Sequence, residues 1–142
     1  MRLELLLPVC TILFTGCSSD SPTGPTSVIG NSYHLLSING STLPVQYYAV
    51  AGDFQATALS GSIVFLANGY VRAATHRRVD YVSPLLPDED LTSIDSVPYR
   101  VVGQFLLIER IHGWDTAQVN GGLLVHWTTS TASLGVWRYL QN

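Results

Sequence analysis

The stretch Gly61-Ser62-Ile63-Val64-Phe65-Leu66-Ala67-Asn68-Gly69-Tyr70-Val71-Arg72-Ala73-Ala74-Thr75 decides the fold class. β-Branched and aromatic residues stand on both sides of an Asn-Gly dipeptide, the pair that best tolerates positive φ in a tight hairpin turn. The second strand of this hairpin runs from Tyr70 to Tyr81. Alternation puts Tyr70, Arg72, Ala74, His76, Arg78 and Asp80 on one face and Val71, Ala73, Thr75, Arg77, Val79 and Tyr81 on the other. Neither face is cleanly apolar, so this strand is expected to project past the core.

Working outward, the same grammar repeats. Upstream, residues 32–38 read as a strand closed by a second Asn-Gly turn, Asn39-Gly40. Leu43-Pro44 begins the return, with Pro44 at a strand start or edge, where its missing N–H is harmless. Gly52-Asp53 divides the segment that follows. Downstream, Pro84, Pro87 and the acidic run Asp88-Glu89-Asp90 make residues 83–95 a predicted surface loop. Strands follow at residues 97–102, after a Gly103-Gln104 turn at 105–111, and after a turn at Gly113-Trp114-Asp115 at 116–120. Gly121-Gly122 turns the chain again, and the last strands are expected at 123–129 and 133–140. The near-continuous apolar run at 105–111 reads as a strand in the middle of the core. Eight or nine short strands joined by tight turns, with no amphipathic helix of even three turns, predict an all-β sandwich or up-and-down barrel.

The N-terminal region is of another kind. Arg2 precedes an apolar stretch at residues 5–14, too short for a transmembrane helix and interrupted by Pro8. Phe14-Thr15-Gly16-Cys17 resembles the lipobox of bacterial lipoproteins, with Phe14 where a smaller aliphatic residue is usual and Glu4 in an n-region that is normally basic. The resemblance implies a signal peptide at 1–16, lipid attachment at Cys17 and anchoring in the bacterial cell envelope. Ser18 after the cysteine resembles the pattern sorted to the outer membrane. Residues 17–29 are the lipidated cysteine and a linker rich in Ser, Thr, Pro and Gly, leaving 30–142 as the folded domain. Of the two cysteines, Cys10 lies in the signal and Cys17 at the anchor, so the domain has no disulfide and depends on burial.

Hydrophobic residues make up 46% of the chain and charged residues 12%, with a net charge of −3. All seven basic residues are arginine, and no basic stripe exists, which sets nucleic-acid binding aside. His34, His76, His112 and His126 fall on separate segments without the spacing of a zinc site, and they read as surface or half-buried histidines. The acidic triplet lacks the ligand alternation and glycine of a calcium loop and reads as solvated. No nucleophile elbow or other catalytic constellation occurs, so neither an enzyme nor a cofactor is expected. Trp114, placed at a turn, and Trp127 and Trp137, on late strands, could line a ligand mouth, but packing is the favoured reading. Arg100 and Arg138 are candidates to close a barrel end or to hold an anionic head group.

Tyr33-His34-Leu35-Leu36-Ser37-Ile38-Asn39-Gly40 with Leu43-Pro44, the hairpin around Asn68-Gly69, and Val136-Trp137-Arg138-Tyr139 resemble small bacterial lipoproteins with a lipocalin-like barrel. The opening pattern is also similar to heat-shock and lysozyme-inhibitor lipoproteins, from whose inhibitor members this chain departs by lacking a disulfide pair. The resemblance implies a single antiparallel up-and-down barrel of about eight strands. It implies no activity. Two functions stay open: a binder of a small apolar or amphipathic ligand, or an interaction module, such as an inhibitor or assembly accessory, with a barrel filled by its own side chains.

Overall fold

The computed structural model describes residues 28–129 and 135–142. The signal segment, Cys17 and nearly all of the linker lie outside the described residues. Ten strands follow in chain order: β1 (Ser32–Ile38), β2 (Ser41–Thr42), β3 (Val45–Val50), β4 (Phe54–Phe65), β5 (Tyr70–Tyr81), β6 (Glu89–Val102), β7 (Phe105–Arg110), β8 (Gly113–Asn120), β9 (Leu123–Thr128) and β10 (Gly135–Gln141). All are antiparallel. From β4 to β10 each pairs with its sequence neighbour; β1 then pairs with β10 on one side and β4 on the other, closing an eight-stranded up-and-down barrel. The lipocalin-like expectation agrees with this architecture.

Two details of β1 explain how the closure is made. Its three pairs with β4, Ser32↔Val64, Tyr33↔Ile63 and His34↔Ser62, lie at one end of the barrel. Beyond them the seam splits. β2 continues on the edge of β1, and β3 continues on the edge of β4. A bulge between Leu35 and Ser37 shifts the register against β10, so that both Ser37 and Ile38 are buried. The Asn39-Gly40 turn has positive φ at both residues, as a two-residue hairpin of this kind requires. The Asn39 side chain also accepts a hydrogen bond of 2.8 Å from the Val136 amide, tying this turn to the start of β10.

The core is the barrel lumen. Tyr33, Ile38, Ile63, Phe65, Val71, Leu106, Ile108 and Leu124 are almost wholly shielded, joined by Trp137 and Tyr139. Each large apolar side chain buried here contributes about 1.5–3 kcal/mol. Phe65 meets both Tyr33 and Tyr99 edge to face, with ring centroids 6.4 and 5.1 Å apart. Leu43, Val45 and Tyr47 of the β2–β3 segment pack against the same core.

Three sequence expectations are corrected. Residues 89–95 are strand rather than loop, because β5 extends far enough to template them from Val79↔Glu89 to Ala73↔Asp95; pairing overrides the polar local composition. Gly113, Trp114 and Asp115 open β8 instead of forming a turn, since Arg110↔Gly113 and Glu109↔Trp114 continue the ladder with β7. β7 is not buried on both faces: Leu106 and Ile108 point inward, whereas Glu109 is exposed between them and Arg110. The expected projection of the Tyr70–Tyr81 strand is present. β6 pairs with β7 only at residues 99–102 and β4 pairs with β1 only at 62–64, so the far halves of β4, β5 and β6, with β3, leave the barrel as a four-stranded arm.

Candidate functional site

Alternation along β7, β8 and β9 brings polar groups into the lumen. Counting inward positions gives Leu106, Ile108 and Arg110 on β7, Asp115, Ala117 and Val119 on β8, and Leu124, His126 and Thr128 on β9. Asp115 and His126 are buried, and His126 is level with Ala117 and Trp137. One Asp115 carboxylate oxygen accepts from Arg110 Nε at 2.8 Å and lies 3.2 Å from His126 Nε2. The other accepts from the Thr129 amide at 2.7 Å and the Thr129 hydroxyl at 2.9 Å.

Burial alone would raise the Asp115 carboxyl, but hydrogen bonds from His126, the Thr129 backbone, Arg110 and the Thr129 hydroxyl outweigh it and hold the group well below the usual carboxylate range. A neutral His126 donating to this carboxylate carries its proton on Nε2, which leaves Nδ1 an acceptor. Nδ1 has no hydrogen-bond partner among the described residues, nor has the buried Tyr33 hydroxyl. Burial pushes the nearby Tyr139 phenol up. The carboxylate is thus committed to four donors and the imidazole is shut inside a packed lumen, an arrangement that pins β7, β8 and β9 together.

The second candidate is the arm. It carries a small cluster of its own, in which Ala56 and Val79 are buried and Phe54 packs between Tyr48 and Tyr81, at centroid distances of 5.7 and 6.1 Å. Arg77, facing inward at the root, donates to the Tyr47 hydroxyl at 3.3 Å, and Tyr47 stacks edge to face on Trp137 at 5.5 Å. Beyond the arm, the β5–β6 loop holds Leu85 88% exposed. Asp88 accepts from Arg78 there and from the Tyr81 amide, which braces the loop against β5. Two open depressions lie along these same strands. One, of about 210 Å³, lies on the outer face at Ser60, Gly61, Ser62, Ala74, His76 and Thr92; the other, of about 330 Å³, is at the arm tip around Val50, Phe54 and Tyr81.

The residues singled out from sequence are dispersed. His34 bonds to Asn142 at the barrel end where β1 starts, His76 is on the outer wall, and His112 is exposed in the β7–β8 turn. Only His126 joins a cluster. Trp137 packs in the core as expected, but Trp114 and Trp127 face outward and are over a third exposed. Trp127 does share a face with Leu123 and Val125; that face is the outer one. Arg100 lies over the Trp114 ring at 4.4 Å, and Arg138 alternates with the inward Trp137 and Tyr139, so neither closes the barrel. Arg110 instead faces inward from β7 and pairs with the buried Asp115. Once Gly121-Gly122 is taken as the turn, counting by twos in both directions reaches Asp115 and His126, a signal that the misplaced turn at 113–115 concealed. Among the described residues no three metal-ligating side chains converge. Neither a protein-family model, nor a curated protein, nor a solved structure matches the chain.

Proposed function

We propose that this chain is a tethered interaction module of the bacterial cell envelope, held to its membrane through a lipid on Cys17 and presenting its arm to a protein partner. The observation that carries this reading is the division between a lumen occupied by its own aromatic and aliphatic side chains and an arm that leaves the barrel with exposed apolar and acidic groups. Polarity along the barrel axis supports it. The chain enters at Val28, where Gly30 donates to Phe65 and Ile29 bridges the same residue. The arm tip is at the other end of β5, whose twelve residues span roughly 36 Å. In this reading the tether joins the barrel at the end opposite the arm tip. No catalytic role is assigned to the Asp115 carboxylate, whose four donors all belong to the fold.

Native mass spectrometry with lipid extraction on the purified protein tests this. The expected result is the polypeptide with acyl chains at Cys17 and no other stoichiometric adduct. A small molecule bound one to one and released on denaturation would overturn it in favour of the second reading, a carrier of an apolar or amphipathic ligand. The Tyr33 hydroxyl and His126 Nδ1, which find no hydrogen-bond partner among the described residues, are the observation that favours that second reading. Replacement of Cys17 by Ser is expected to abolish the acyl mass and release the protein from the membrane fraction.

A further inference from the structure

We infer that the free edge of β6 at residues 89–97 is a strand-addition site for an extended, basic segment of a protein partner. The inference rests on the interaction-module reading and names the partner's chemistry. β6 is paired with β5 from Glu89 to Pro98, whereas its ladder with β7 begins only at Tyr99. Between these limits the strand is hydrogen-bonded on one side among the described residues. Its outward N–H and C=O groups form a template that another extended chain can complete.

Charge selects the occupant. Asp88, Glu89, Asp90 and Asp95 line this edge and the turn leading into it, and the strand holds no cation before Arg100. Asp88 is paired with Arg78, and Asp95 lies 4.0 Å from Arg110 with its side chain 63% exposed. Glu89 and Asp90 have no ion-pair partner among the described residues. A second copy of this chain adding through the same edge would oppose one set of carboxylates to another, which is unfavourable across strands. A segment with Lys or Arg at alternate positions sets them on the face that Glu89 and Asp95 share with Leu91, while the residues between meet the half-exposed Ile94 on the opposite face. Near Asp95 the edge approaches Arg110 at the end of β7, and from Glu89 to Ile94 it pairs with no strand besides β5 among the described residues.

The test uses the full chain in mild detergent and two synthetic nine-residue probes of alternating valine and charged residues, one with lysine and one with glutamate. Backbone amide signals are followed by NMR, and affinity by fluorescence anisotropy at low and high salt. The lysine probe is expected to saturate at one per chain, to protect amides within 89–97 from exchange, and to weaken as salt is raised. In the double variant Glu89→Lys/Asp90→Lys its affinity falls about tenfold, the glutamate probe gains, and the melting curve is unchanged because both sites are exposed. Protection confined to the β3 edge, equal affinity for both probes, no protection by the lysine probe, or β6 amides protected by self-association at rising protein concentration would each overturn the inference. A ligand adduct in the native mass spectrum, by contrast, would sink the interaction-module reading itself, so the two failures are distinguishable.

Discussion

The barrel and the arm share strands. Within the barrel, β4 and β5 direct Ile63, Phe65 and Val71 into a lumen sealed by eight strands, and β6 adds Val97 and Tyr99. Farther along, the same inward rows present Ala58, still part of the barrel core, then Ala56, Arg77 and Val79, with Phe54 packed between Tyr48 and Tyr81 at the arm tip. The alternation is uninterrupted from one region to the other except at the β4 bulge between Ala58 and Ser60. What changes is the number of neighbouring strands. Large side chains are fully buried where eight strands close, whereas the arm buries the smaller Ala56 and Val79 and leaves its aromatic rings partly exposed.

The largest expected effect lies in the lumen: Phe65→Ala should cost about 4 kcal/mol in urea unfolding, against under about 2 kcal/mol for the partly buried Phe54→Ala in the arm. Equal losses would break the comparison. Next, Asp115→Asn should cost about 3 kcal/mol, since it leaves Arg110 without its buried counter-charge. The Asp115 carboxyl is depressed in the fold, so its stabilisation is complete above the ordinary carboxylate value of about 4 and is lost progressively as pH falls below it. Unfolding from pH 7 to pH 2 should show that acid limb in the parent and a flatter one in the variant. Hydrogen exchange sharpens the contrast further: amides at residues 89–96 should exchange well before those of β9 and β10, which are paired on both sides. The smallest effect is expected from Leu85→Ser at the arm loop, within about 0.5 kcal/mol.

Most of the barrel could be read from turn chemistry. Asn39-Gly40, Asn68-Gly69, Gly103-Gln104 and Gly121-Gly122 each mark a real reversal, and the second strand of the Asn68-Gly69 hairpin was legible to the residue at both ends, Tyr70 and Tyr81. Residues 89–95 were not, because their strand state is imposed by β5 and has no local signature beyond alternating Leu91, Ser93 and Asp95. The polar cluster escaped for a related reason. Gly113-Trp114-Asp115 has turn composition, and the turn expected there hid the inward place that the ladder with β7 gives Asp115. The outward Trp127 shows that alternation assigns residues to a common face without saying which face is inside.

Because β4 and β5 run from the point where the chain enters to the arm tip, traction between those two ends acts along the strands. The β1–β4 closure and the Gly30 to Phe65 hydrogen bond then carry load in parallel, as a glued lap joint does, so that they must fail together instead of peeling one by one. Pulling the two ends apart would shear these contacts, with the β1–β10 ladder sharing the load.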